Sequence, residues 1–158
     1  MNSIHAFTVE GIDGKEIRFA DFRGKKILVV NVASECGLTP QYEQLQELFT
    51  EFQDKVVVVG FPSNDFGGQE PGTNEAIQSF CTIRFGVTFP LAAKVSIKGP
   101  DIHPIYLWLT DKARNGIKDS SVSWNFQKYL LDEDGRLIDV FPPTSSPFDE
   151  ALLNHLAA

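Results

Sequence analysis

Two cysteines are the residues of this 158-residue chain best equipped for covalent chemistry. Cys36 lies in "NVASECGLTP" (31–40), between an apolar run and a segment with helical spacing, and Cys81 lies in "FCTIRFGVTFP" (80–90). A thiol can be a nucleophile, a metal ligand, half of a disulfide or a small apolar core residue. Zinc binding is not expected, because His5, His103 and His155 are scattered and no CxxC or HxxxH spacing occurs. The three histidines read as ordinary surface or core residues. Cys36 is placed for reactivity, since unpaired N–H groups and the dipole of a helix N-terminus stabilise a thiolate. Gly37 lets backbone approach the sulfur closely. Thr39 stands three residues on, so no local C-x-x-C disulfide can form. The sulfur must then be oxidised by something else, and peroxide is the simplest oxidant, giving a sulfenic acid. From spacing alone the alternative stays open that Cys36 is a buried structural cysteine.

The elements that must position these residues can be read from periodicity. "FTVEGIDGKEIRF" (7–19) alternates around Asp13-Gly14 and predicts a hairpin. "KILVVNVAS" (26–34) is apolar from Ile27 to Val30, as in a strand covered on both faces. Thr39-Pro40 predicts a helix start, with Thr39 as cap and Pro40 in the first turn. Tyr42, Leu45, Leu48, Phe49 and Phe52 then form one apolar helical face. "KVVVVGFP" (55–62) is a second buried strand, which makes 27–61 a parallel βαβ unit with a right-handed crossover. After the Gly-rich "SNDFGGQEPG", Thr73 or Asn74 begins a helix that carries Ile77, Phe80 and Cys81 on one stripe. "HPIYLWLTDKA" (103–113) predicts one further helix, and 123–141 a hairpin turning at 133–135. Ser146-Pro147 predicts the start of the last helix, with Asp149 and Glu150 near its positive end. This order predicts an α/β, thioredoxin-like fold over 1–158 as one domain: a central mixed sheet flanked by helices, preceded by a β-hairpin.

Composition narrows the functional classes. A 42% hydrophobic and 22% charged chain suits an ordered globular domain. The net charge of -7 gives no general attraction to nucleic acid or anionic lipid. No run approaches the ~20 apolar residues of a membrane span. The start, "MNSIHAFTVEGIDGKEIRF", has no basic segment or apolar block, so no signal peptide and a cytoplasmic location are expected. In that compartment two cysteines are more often free, catalytic or redox-active than a permanent staple.

Three stretches in order, "NVASECGLT" (31–39), "GFPSNDFGGQEPGTNEAI" (60–77) and "WNFQKYL" (124–130), resemble the glutathione peroxidase family over nearly the whole chain. The match is to its non-selenium, thioredoxin-dependent, two-cysteine members. The resemblance implies a catalytic group of Cys36, Gln69, Trp124 and Asn125. Gln69, Asn125 and the Trp124 indole are neutral donors that would stabilise charge on one sulfur and hold a peroxide in line. Taken singly, Gln69 could be a solvated loop residue, Asn125 a turn residue and Trp124 core filler. The resemblance further implies hydrogen peroxide or organic hydroperoxides as substrates, Cys81 as resolving cysteine, and thioredoxin as reductant of the resulting disulfide. Plant members often carry another cysteine where this chain has Ser63.

The segment before Trp124, "RNGIKDSSVS", lacks the long insertion of the tetrameric animal enzymes, which implies a monomer or weak dimer. "GLTPQYE" (37–43) has none of the basic residues with which glutathione-using members hold glutathione. No metal, flavin, nucleotide or haem is implied. Three other readings stand beside this one: a glutathione-dependent peroxidase with Cys81 structural, a peroxide-sensing redox relay, and a non-catalytic thioredoxin-like binding module.

Overall fold

Alternation around Asp13-Gly14 builds an antiparallel hairpin of β1 (Thr8–Glu10) and β2 (Glu16–Arg18), with Val9 opposite Ile17. The two apolar runs become β3 (Lys26–Val32) and β4 (Val56–Pro62), paired in parallel from Lys26 opposite Val56 to Val32 opposite Pro62. The connection between them is α1 (Gln41–Glu51). β5 (Lys128–Leu131) lies antiparallel to β3, and β6 (Leu137–Phe141) antiparallel to β5, so the sheet runs β4-β3-β5-β6. This is the mixed sheet of a thioredoxin-like fold. The structure is a computed structural model that describes residues 3–157; Met1, Asn2 and Ala158 lie outside the described residues.

The strands are apolar throughout because both sheet faces are covered. Leu28, Val30, Val32, Val56 and Val58 pack with α1, α2 (Asn74–Phe85) and α5 (Glu150–Ala157). Ile27, Val29, Val57, Val59 and Phe61 pack on the other side with the N-terminal segment and α3 (Pro104–Thr110). The period of two puts alternate residues into separate cores. Each fully buried Val, Leu or Ile contributes about 1.5–3 kcal/mol of transfer free energy.

Four boundaries differ from the sequence reading, the first three because a side chain takes a different partner. Thr39 does not cap α1. Its hydroxyl donates to the Ala33 carbonyl at 2.8 Å and accepts the Cys36 N–H at 2.9 Å, and the helix begins at Gln41. The 103–113 helix is broken at Asp111, whose carboxylate accepts the Ala113 N–H and starts the separate α4 (Lys112–Asn115). Asp149 does the same for Ala151 at 2.9 Å, so α5 starts at Glu150 rather than at Ser146-Pro147. Residues 123–127 form a turn before β5 and are not part of the hairpin strand. The start of α2 is as expected, with Thr73 Oγ1 accepting the Ala76 N–H.

Candidate active site

Cys36 sits in a tight turn beyond the end of β3, five residues before α1. The residue is 8% exposed. Its Sγ accepts the Leu38 N–H at 3.3 Å, and its carbonyl accepts the Thr39 N–H at 3.1 Å. Thr39 closes the loop from inside through its bonds to Ala33 and Cys36. The sulfur is thus held by turn geometry rather than by the first turn of a regular helix.

Gln69 is on the loop after β4. Its backbone carbonyl accepts the Glu35 N–H at 3.0 Å, which ties it to the residue before Cys36. Asn125 is fully buried and donates through Nδ2 to the Phe66 carbonyl at 3.3 Å and to Gln69 Oε1 at 3.1 Å. A carbonyl can only accept, so Phe66 fixes which way the Asn125 amide faces. Asn125 in turn fixes Gln69, leaving the Gln69 Nε2 without a partner among the described residues. The two N–H groups of Asn125 are therefore taken up by Phe66 and Gln69 in this state. Asn125 orients Gln69 instead of donating to the sulfur, as the sequence had suggested.

Trp124 is 37% exposed, stacked edge-on to Phe66 with ring centroids 5.9 Å apart. Its indole N–H bonds to nothing among the described residues, and its carbonyl accepts from Asn31 Nδ2 at 3.1 Å. Gly67 is why the ring can lie where it does: a Cβ there would sit 2.8 Å from Trp124 Cη2, and the backbone has φ +71°. Gly67→Ala is expected to cost about 1–2 kcal/mol for the left-handed backbone and to push the indole aside. Peroxide turnover should fall by about tenfold. Thermal melting and steady-state assays check the two effects separately.

Three residues of this region escaped the sequence reading. Asn31, in β3, locks the turn from beneath. Its backbone carbonyl accepts the Phe126 N–H at 2.6 Å, and its Oδ1 accepts the Gln127 N–H at 3.1 Å. Lys128 is fully buried and donates to the Phe126 carbonyl at 2.7 Å and the Pro143 carbonyl at 3.2 Å. Together they hold Phe126 at φ 69°, a left-handed conformation costly for a residue with a side chain. Glu70 is 1% exposed. Its N–H donates to Asn64 Oδ1 at 2.9 Å, but neither carboxyl oxygen has a well-formed hydrogen bond. Burial raises the Glu70 carboxyl above the usual range. The hydroxyl and N–H of Ser34 lie close enough to oppose this, though outside hydrogen-bond geometry, and Lys94 opposes it as well. The signal for Asn31 and Lys128 was a polar residue within an otherwise apolar strand.

Cys81 is fully buried in α2, and its thiol and that of Cys36 are both free. The two share one core with Tyr42, Ile77 and Phe126. Burial pushes the Cys81 thiol up to about 11; the neighbouring Tyr42 hydroxyl opposes this and the Glu70 charge adds to it. The Tyr42 hydroxyl is itself buried without a well-formed hydrogen bond. The sulfur is thus a poor nucleophile where it stands.

A thioredoxin-like fold with a cysteine held in the turn after its central strand, tied through Glu35 to the loop of Gln69, defines a thiol oxidoreductase. Residues 4–110 match the glutathione peroxidase family, and the chain belongs to that family. It is 43% identical over 148 residues to a glutathione peroxidase homolog BsaA of Staphylococcus epidermidis, covering 93% of each chain. It is 42% identical over 154 residues to the hydroperoxy fatty acid reductase gpx1 of Synechocystis, covering 92% of this chain and 90% of that one. Among solved structures, T. cruzi GPX1 superposes with a TM-score of 0.75 at 30% identity, over 99% of this chain and 97% of that one.

Proposed function

We infer that the protein is a thiol peroxidase that reduces hydroperoxides through Cys36 and is recycled by thioredoxin through Cys81. The Cys36 thiolate attacks the distal peroxide oxygen, the O–O bond breaks, and the departing alkoxide takes a proton to leave as an alcohol or water. Cys36 becomes a sulfenic acid. The Cys81 thiol then forms a disulfide with it and water is released. A thioredoxin dithiol reopens that disulfide by exchange.

The observation that carries the first half is the site itself. The Cys36 loop is tied through the Glu35 N–H to Gln69, whose Nε2 Asn125 leaves as a donor without a partner among the described residues, and Trp124, next to Asn125, carries an indole N–H likewise without a partner among them. Such donors stabilise charge that develops on sulfur and oxygen without competing for the proton. The Synechocystis relative, a hydroperoxy fatty acid reductase, supports organic hydroperoxides as substrates.

Thioredoxin is favoured over glutathione by the groove beside Cys36. This space of about 460 Å³ is lined by Gly37, Leu38, Pro40 and the polar side of α1. Glu43 and Glu47 line it, with no Lys or Arg among them, so the carboxylates of glutathione would meet like charge.

The test is NADPH consumption coupled to thioredoxin and its reductase, run beside glutathione and its reductase. Cys81→Ser is expected to accumulate Cys36 sulfenic acid and to lose thioredoxin-supported turnover by roughly a hundredfold. Full cycling by that variant, or turnover with glutathione alone, would remove Cys81 from the reaction.

A further inference from the structure

Glu70 has no role in the cycle as stated, yet it is a buried carboxyl without a well-formed hydrogen bond, whose nearest polar neighbours are the hydroxyl and N–H of Ser34. Unpartnered buried polar groups are costly and rare enough to demand a reason. Its position supplies one. Glu70 lines a cavity of about 180 Å³ whose one wall is Ser34 and Glu35, next to Cys36, and whose other is Ala76, Ile77 and Phe80 of α2. The cavity therefore lies between the loop that carries Cys36 and the helix that carries Cys81. Cys81 follows Ile77 by one helical turn. The Glu70 charge is felt by both Cys81 and Tyr42.

We propose that Glu70 is the proton acceptor for Cys81 as that thiol crosses this cavity to attack oxidised Cys36. The proposal rests on the resolving role given to Cys81 above. The Glu70 carboxylate takes the proton from Cys81 Sγ while that sulfur forms a bond to Cys36 Sγ. The Cys36 S–O bond breaks, and the leaving hydroxide takes the proton back from Glu70 and departs as water. Cys36 is reduced from the sulfenic level, Cys81 is oxidised to the disulfide level, and Glu70 returns to its starting state, so no other oxidant or reductant is needed.

The neighbouring groups do not compete. Tyr42, from α1, is held protonated by burial well above its ordinary value and so offers no phenolate to take the proton. Ser34 does not titrate near neutrality. Lys94 is a cation whose Nζ already donates to the Gly72 carbonyl at 3.0 Å. Glu35 lines the cavity from an exposed position, and its charge raises the Glu70 carboxyl further. A thiol at about 11 offers only roughly one thiolate in ten thousand at pH 7. A carboxylate whose affinity for protons is raised by burial is matched to that need.

Rapid-mixing experiments separate the two halves of the oxidation. Sulfenic acid is followed by dimedone trapping and the Cys36–Cys81 disulfide by mass spectrometry. In Glu70→Gln, disulfide formation should slow at least tenfold relative to sulfenic acid formation. Its rate should climb with pH towards the ionisation of the thiol itself, whereas the wild-type rate levels off once Glu70 is ionised. Glu70→Asp should keep the wild-type shape of profile. In Glu70→Ala, added formate should restore the rate in proportion to its ionised fraction, which a packing role would not produce. Disulfide formation by Glu70→Gln at the wild-type rate and with the wild-type pH profile overturns the proposal alone. Absence of a Cys36–Cys81 disulfide in peroxide-treated wild type overturns the resolving role and the proposal together.

Discussion

Replacing Cys36 with serine is expected to end hydroperoxide reduction, lowering turnover by at least about a thousandfold. The reaction takes two electrons from one atom, and a serine oxygen cannot give them up to a peroxide. Nor is a serine alkoxide populated at neutral pH without a base, and among the described residues no base is hydrogen-bonded to Cys36. Its hydrogen-bonded contacts are the Leu38 N–H on the sulfur and the Thr39 hydroxyl and N–H on its backbone. The substitution should leave the fold in place. Serine is nearly the same size, and the ties from Thr39 to Ala33 and to the backbone of residue 36 do not involve the sulfur. Equal melting temperatures together with lost peroxide consumption is the expected pair of results. Retained turnover in the serine variant would move the chemistry to another residue.

Lys128→Met is expected to flatten the rise of stability with pH. The Lys128 amine has no exposure, and burial lowers it from 10.5 to about 7, with the Asp149 charge opposing. Above pH 7 the folded protein therefore holds Lys128 mostly neutral, while the unfolded chain still binds its proton. Stability then rises with pH by up to about 1.4 kcal/mol per unit, starting near pH 7. The stabilisation is complete only above the unfolded value of 10.5 and is lost as pH falls towards about 7. Cys81 and the tyrosines act in the other sense at higher pH, because folding raises them. The clean window is therefore pH 7 to about 8.5. There, denaturant titration should show wild type gaining about 1–2 kcal/mol and Lys128→Met gaining little. Methionine also leaves the Phe126 carbonyl without its amine partner, at a cost of about 1–3 kcal/mol. Pro143 keeps its bond from Gln41 Nε2 at 2.9 Å. Because the same amine steadies the left-handed Phe126 turn behind Trp124 and Asn125, peroxide turnover should fall as well. An unchanged pH slope in the variant would assign it to another group.

The sheet could be read from the sequence because its physics is local. Runs such as 27–30 and 56–59 are apolar at every position only when both faces are buried. The start of α2 was legible for the same reason, since Thr73 caps within its own segment. Thr39 misled because a hydroxyl next to a proline has the pattern of a cap, while its real partners lie up to six residues back, in the turn it closes. The breaks at Asp111 and before Glu150 turn on which carboxylate wins a backbone N–H, which composition does not decide. Cys36, Gln69, Trp124 and Asn125 were recognisable as motif residues, but their division of labour was not. That Asn125 serves Gln69 depends on a contact across 56 residues, and that Asn31 holds Trp124 depends on one across 93. Glu70 looked like part of a polar loop, and nothing in its neighbourhood along the chain marks it as buried.

Thr39 has a consequence for the topology of the chain. With a hydroxyl in the place of a second sulfur, an oxidised Cys36 has no partner inside its own turn. Its intramolecular partner in sequence is Cys81, 45 positions away. Joining them would convert a linear chain into a covalent ring that encloses α1 and β4. A ring of that length takes about 4 kcal/mol of conformational freedom from the unfolded chain. Oxidation would thus make the whole molecule harder to pull apart, so a peroxide signal would be written into the connectivity of the backbone.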